Sequence, residues 1–360
     1  MALKNFWYVA DLSSAIINKP KRINLLGRDF VLYRNTKGQV AALSNWCVHR
    51  GGSLSHGWVE DDCLRCPYHG WKYRADGVCI EIPANRAGAP IAKRARVKTY
   101  PVQEKYGWIW LFLGDLPTAE RPPHPPLPEF DKPDWRVIYG EFLWDAPYTR
   151  VVENAIDIAH TPFVHATSFG NRDEPQVENY DMHLAAWSGS ASVMLKPRRS
   201  KGLWRYIHRK DSPGVKTTAT FFMPNVTRLE VDLGNGAQMI IFGSHKPIDD
   251  YTTLTQWIQL RNFFTHPWFD GDAKRRTLKI FREDQKVVET LNPNRALHPL
   301  ATEFHVRSDA LAIAYRKLNQ QCLNRGWGIN QPLNNSVDSS RRTISMPNSD
   351  QSKASELTKV

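Results

Sequence analysis

Four side chains of metal-binding type within a short stretch constrain this chain more than any other feature. Cys47-Val48-His49 is followed, after sixteen residues, by Cys66-Pro67-Tyr68-His69. Each half offers one thiolate and one imidazole on a short loop. A Cys₂His₂ set can hold zinc or a 2Fe-2S cluster, so spacing must decide. Zinc fingers usually place two cysteines in one knuckle and two histidines in the other. Here each knuckle supplies one of each, which suits two irons, with Cys47 and Cys66 on one and His49 and His69 on the other. Neutral imidazoles in place of two thiolates remove negative charge and raise the cluster's potential. Gly51, Gly52 and Gly70 suit loops that wrap a cluster and leave N–H groups free for its sulfides. The total of five cysteines is odd, which argues against a disulfide framework. Cys63 and Cys79 read as small buried residues, Cys322 as a helical residue without a role, and His56 as a turn residue.

Strand and turn signals fill the first 115 residues. Phe30–Tyr33 and Val40–Leu43 flank a turn ending in Gly38, Asp76-Gly77 marks a second hairpin, and Trp108–Leu113 is a six-residue apolar strand. Six prolines between Leu116 and Pro128 then predict a stiff, extended linker that joins neither a helix nor a central strand. Beyond it, strand-like stretches (Thr217–Phe222, Gln238–Gly243, Thr252–Gln259) alternate with helical patterns near 150–160, 273–291 and 308–325. The fold class is α+β. The expected division is residues 1–115, a linker at 116–129, a second domain at 130–335 and a disordered Ser/Asn/Lys-rich tail at 336–360.

A second constellation lies in Asn154-Ala155-Ile156-Asp157-Ile158-Ala159-His160-Thr161-Pro162-Phe163-Val164-His165. On a continuing helix Asn154, Asp157 and His160 share one stripe, and Pro162 then re-aims the chain so that His165 converges on His160. Two imidazoles need a third ligand to close one face of an octahedron. Asp284 is the candidate, because it sits amid the apolar positions Leu278, Phe281 and Val288. A carboxylate there is costly unless a cation satisfies it. The alternative is an inward salt bridge to Lys279 or Arg282.

Together, Cys-x-His-Arg-Gly-Gly, Cys-Pro-Tyr-His-Gly-Trp-Lys-Tyr and Asn-Ala-Ile-Asp-Ile-Ala-His-Thr-Pro-Phe-Val-His resemble the motifs of the Rieske non-haem iron oxygenases, most nearly the homotrimeric vanillate and dicamba demethylase type. The resemblance spans all but the tail. It implies an all-β Rieske domain followed by a helix-grip catalytic domain on an antiparallel sheet. It also implies a 2Fe-2S cluster on Cys47, His49, Cys66 and His69, and Fe(II) on His160, His165 and Asp284. Asp157 then corresponds to the carboxylate that links the iron to the Rieske cluster of a neighbouring subunit, through His160 here and His69 there. Asn154 is grouped with Asp157 as a catalytic candidate. The implied activity is monooxygenation of a small organic substrate by O₂, as hydroxylation or oxidative demethylation. The alternatives are a cis-dihydroxylating dioxygenase, or a Rieske electron carrier without oxygenase activity.

No G-x-G-x-x-G signature is present, so electrons from NAD(P)H are expected only through a separate reductase or ferredoxin. The formal charge of +12 suits an acidic electron donor. Basic residues are spread along the chain without a nucleic-acid motif, so no nucleic-acid partner is expected. Lys196–Lys210 holds seven Lys/Arg and reads as a solvated loop. No apolar run approaches membrane-spanning length and no export signal opens the chain, so a cytoplasmic protein is expected.

Overall fold

The computed structural model describes residues 2–196, 214–291 and 303–329. Most of the basic stretch and the whole 336–360 tail therefore lie outside the described residues. The N-terminal part consists of three small antiparallel sheets. Phe6–Leu12, Trp108–Leu113 and Val102–Lys105 form the first, and Lys21–Leu25, Arg28–Arg34, Val40–Ser44 and Thr99–Tyr100 the second. The expected hairpin pairs Tyr33 with Ala41, and Gly38 closes its turn at φ +78°. Trp58–Glu60, Cys63–Arg65, Lys72–Tyr73 and Cys79–Glu81 make the third sheet. The first Cys-His loop follows Val40–Ser44, and the second joins Cys63–Arg65 to Lys72–Tyr73.

A seven-stranded antiparallel sheet dominates the rest. Its order is Arg136–Trp144, Thr253–Arg261, Ala237–Pro247, Val226–Gly234, Val215–Phe222, Ser188–Leu195 and Glu178–Ala185. Successive side chains on a strand point to opposite faces, and here both faces are used. On one, Val226, Ile240, Phe242, Ile258 and Leu260 pack against Trp108, Trp110 and Phe112 of the N-terminal part. The other lies under the helices α1 (Tyr148–Ile156), α2 (Thr161–Val164), α3 (Asp270–Val288) and α4 (Ala310–Asn324). There Ile138 and Trp257 meet Ala273, Leu278 and Phe281 of α3. A third cluster joins Phe6, Tyr8, Ile109 and Leu111 to Phe221 and to Tyr315 of α4, so apolar contacts run from the first strand of the chain to its last helix.

Two sequence expectations need correction. The helix near 150–160 stops at Ile156, and Asp157 takes an extended conformation at φ −78°, ψ 119°. Ile156 and Ile158 are both buried in the same cluster, whereas on a continuing helix residues two apart would stand about 200° apart around its axis. Asn154, Asp157 and His160 therefore do not share a helical stripe. The proline-rich stretch joins no strand, as expected, but it is not merely extended. Thr118–Glu120 forms a 3₁₀ turn, Leu127 is buried, and the His124 ring lies against Trp7 and Trp110.

Candidate metal centres

The two Cys-His loops are built alike. Gly51 N–H donates to the Cys47 carbonyl at 2.9 Å, and Gly70 N–H to that of Cys66 at 3.0 Å. Cys47 and Cys66 in turn donate their N–H groups to the carbonyls of Gly52 and Trp71. Both turns need left-handed backbone, at φ +68° for Gly51 and +70° for Gly70, which glycine adopts without a Cβ clash. The N–H groups of Gly51 and Gly70 thus close the turns and are not free for a cluster, contrary to the sequence expectation. Gly52 has another role: a Cβ there would stand 3.0 Å from Cys66 Sγ.

The thiols of Cys47 and Cys66 are buried and form no disulfide, whereas His49 and His69 are exposed, their rings 4.5 Å apart. Burial pushes the Tyr73 phenol well up, so it keeps its proton, and its hydroxyl shares a hydrogen bond with Cys47 Sγ at 3.0 Å. His49 stacks on Trp71 and is held below its ordinary pKa by partial desolvation and by facing His69, which favours the neutral, ligating form. Arg65, buried between Glu60 and Glu81, donates to the Gly70 carbonyl at 2.8 Å and braces the second loop. Buried thiols facing two solvent-side imidazoles, with no Cβ crowding the space at Gly52, fit a 2Fe-2S cluster. Cys63 and Cys79 are buried outside this set and His56 lies exposed in a 3₁₀ turn.

The second site joins the end of α1, the start of α2 and the middle of α3. His160 Nε2 and His165 Nε2 are 3.2 Å apart, and Asp284 Oδ1 stands 3.3 Å from the first and 3.2 Å from the second. Three ligands about 2.1 Å from one ion at right angles stand about 3 Å from each other, so this near-equilateral triangle fits one face of an octahedron. Asp284 is 5% exposed and Oδ1 has no hydrogen-bond donor among the described residues, an orphaned acceptor that a cation would satisfy. It meets neither Lys279 nor Arg282; Lys279 pairs with Glu283 instead. Burial works against the Asp284 carboxylate, but the two histidines outweigh it and hold its pKa near 2. Burial likewise opposes charge on His160, yet Asp157 and Asp284 lift it to about 9.

Asp157 Oδ2 is 3.6 Å from His160 Nδ1, too far for a hydrogen bond, while its other oxygen accepts from the Ala159 N–H at 2.8 Å. Asn154 lines the adjoining cavity. Sequence reasoning missed Glu283, which accepts from His165 Nδ1 at 2.9 Å and is itself bonded by Thr167 and Ser168. That contact fixes the tautomer that leaves the Nε2 lone pair facing Asp284. The usable signal was chemical: a ligating imidazole needs an acceptor at its second nitrogen.

All three triangle residues line a cavity of about 690 Å³. Its floor is the helix-side face of the large sheet, where Leu229, Val231, Met239 and Ile241 alternate with residues facing the other way.

Residues 6–101 match the Rieske [2Fe-2S] domain and residues 144–325 the vanillate O-demethylase oxygenase C-terminal domain. The vanillate O-demethylase oxygenase subunit of a Pseudomonas sp. is 35% identical over 350 residues, covering 89% of this chain and 94% of that one. The toluene-4-sulfonate monooxygenase iron-sulfur subunit of Comamonas testosteroni is 37% identical, but the match covers 47% of this chain and spans about half, 48%, of that relative. In fold, the chain is similar to the structure of Pseudomonas putida NdmA with caffeine, at a TM-score of 0.76 and 24% identity, covering 90% of this chain and 92% of that one. With the 2Fe-2S domain, the oxygenase domain and a whole-length relative all agreeing, this chain belongs to the Rieske non-haem iron oxygenases.

Proposed function

We propose that this chain is an oxygenase component that inserts one oxygen atom from O₂ into a small organic substrate, by hydroxylation or oxidative demethylation. The observation that carries this reading is the 3.2–3.3 Å triangle of His160, His165 and Asp284 opening into a largely apolar cavity. His160, His165 and Asp284 would hold the iron, and Cys47, His49, Cys66 and His69 the cluster. When bound, the cluster supplies electrons one at a time and the iron supplies open positions for O₂. Glu283 keeps His165 in its ligating tautomer. The apolar sheet face excludes water and leaves the substrate beside the triangle. With Cys47 ligating as a thiolate, the Tyr73 hydroxyl would donate to it and so favour the reduced cluster. The whole-length relative is named an O-demethylase, which favours demethylation as the reaction type.

The electron donor is a separate reductase or ferredoxin, and the +12 charge favours an acidic one. We place the protein in the cytoplasm as a homotrimer. No helix among the described residues is long and apolar enough to cross a membrane. Asp157, with a side chain 38% exposed, is available to a neighbouring subunit's His69, and the exposed Trp46 and Tyr68 give the cluster edge an apolar rim for that contact. Asp157→Ala then keeps both metals but loses electron transfer between them.

The test is iron and sulfide analysis followed by substrate-dependent oxygen uptake with a surrogate reductase. About three irons and two sulfides per chain are expected, against two irons for an electron carrier. Labelled O₂ gives one labelled atom in the product for a monooxygenase and two for a dihydroxylating enzyme; no uptake with any substrate overturns the proposal.

A further inference from the structure

On the oxygenase reading, His49 and His69 meet a neighbouring subunit, so an electron donor docked on that edge would block the exit it feeds. The cysteine side of the two loops has a surface of its own. Ala95 and Val97 are buried in one apolar cluster with Cys47, Cys66 and Cys79, and Ile82, Ile91 and Trp71 pack against it. Cys79 N–H donates to the Ala95 carbonyl at 2.9 Å, Val97 N–H donates to that of Gly77 at 2.9 Å, and Arg96 bridges Val78. Pro83 lies beside the second loop, where a Cβ on Gly70 would stand 3.0 Å from its Cγ. The segment 83–98 is thus seated against the buried thiols.

Its outer face is basic throughout. Ala95 and Val97 are buried, while Arg94, Arg96 and Lys98 beside them are exposed, as are Arg86 and Lys93. From Ile82 to Gln103 the sequence holds these five cations and no acidic residue. None of the five forms a salt bridge among the described residues. Asp76, the acid that feels Arg96, is held by Arg74 at 2.5 Å. Like charges crowded without a carboxylate repel one another and attract an anionic partner. Arg86–Lys98 also exposes no large apolar side chain, which suits an encounter that must release its partner after each electron.

We infer that the face of Arg86, Lys93, Arg94, Arg96 and Lys98 docks an acidic one-electron carrier protein, and that electrons enter the cluster from its cysteine side. Each encounter oxidises the carrier by one electron and reduces the cluster by one, and no bond is made or broken. The buried path is short in sequence: Arg94 and Arg96 flank Ala95, whose carbonyl holds Cys79 among the ligating thiols. The inference rests on the oxygenase reading only for the direction of electron flow.

Calorimetry on the oxidised full-length protein tests docking apart from turnover. The probes are an acidic plant-type [2Fe-2S] ferredoxin and a basic cytochrome c. At low salt the ferredoxin is expected to bind at least about tenfold more tightly than the cytochrome, and to lose about tenfold as salt rises to about 0.2 M. Lys93→Glu with Arg94→Glu should weaken the ferredoxin about tenfold and flatten the salt dependence. A control pair with the same change in net charge, Lys274→Glu with Lys317→Glu on α3 and α4, should weaken it less than about twofold. Mixing with reduced ferredoxin, read from bleaching of the cluster's visible bands, should show the same ranking of rates, while photoreduction by a deazaflavin proceeds equally in all three proteins. If the glutamate pair loses its cluster, Lys93→Gln with Arg94→Gln decides, at about threefold. No ferredoxin binding, equal loss in the control pair, or unchanged affinity in the patch variants overturns the inference. So does a patch variant that changes only the oligomeric state, which would make this face a contact between copies of the chain. A missing third iron or absent oxygen uptake would instead overturn the oxygenase reading, and ferredoxin affinity stays readable on the same sample.

Discussion

Single side chains in this protein act through the partners they keep or lack. Glu283 is not one of the three triangle residues, yet its bond to His165 Nδ1 sets which nitrogen faces Asp284. Glu283→Gln should weaken iron binding about 10–100-fold while the reduced-cluster EPR signal stays intact; full iron occupancy in dialysed protein would contradict this. The Cys and His spacings were plain in the sequence because cluster chemistry dictates them. Glu283 was not legible, since a carboxylate beside Asp284 lies about 100° around the helix and reads as solvent-facing. One buried and one half-buried histidine carry a second expectation. Burial pushes His245 down to about 3, and burial with Lys105 nearby pushes His124 down to about 4. Below the ordinary value of about 6.5 the unfolded chain binds protons that the folded chain refuses, so stability falls as pH drops toward these values, by at most about 1.4 kcal/mol per unit per histidine. The His124 ring nitrogens have no partners among the described residues, and the ring lies against Trp7 and Trp110, which an aromatic Phe can also do. His124→Phe should narrow the gap between denaturation midpoints at about pH 7 and about pH 5; an unchanged gap argues against it.

At the level of elements, the mononuclear site depends on a helix that stops early and a short one that restarts. Periodicity alone carried the first helix through His160, because Asn154, Asp157 and His160 fit its period. The end at Ile156 goes with tertiary packing, since Ile156 and Ile158 both lie in the core. Gly170 then caps the restart. Its N–H donates to the His165 carbonyl at 2.8 Å, and a Cβ there would meet the Thr161 carbonyl oxygen at 2.5 Å and that of Pro162 at 2.8 Å. Gly170→Ala should displace α2 with His165, lowering iron content and stability by about 1–3 kcal/mol and sparing the cluster spectrum. Wild-type iron content in that variant would show that the loop yields freely. The large sheet was legible as strands but not as a cavity floor. Strands covered on both faces carry apolar residues in runs, which hides the alternation that would reveal the inward side.

Across the whole molecule, the N-terminal part and the oxygenase part share their cores. Phe6, Tyr8, Ile109 and Leu111 pack with Phe221 and Tyr315, and Trp108 and Trp110 with Phe242 and Ile258. Residues 1–115 expressed alone would expose both aromatic faces, so that fragment should aggregate or bind a hydrophobic dye strongly. A monomeric fragment with no dye binding would refute the shared-core argument. Sequence composition marks a proline-rich break after residue 115, but composition cannot show that the break is itself packed down. The division of labour between the two sides of the large sheet has an evolutionary corollary. Leu229, Val231, Met239 and Ile241 face the cavity, while their immediate neighbours Ile240 and Phe242 pack against the N-terminal part. Mutational drift at the former can retune what the enzyme accepts without eroding the scaffold, so new chemistries are accessible to this lineage one alternate codon at a time.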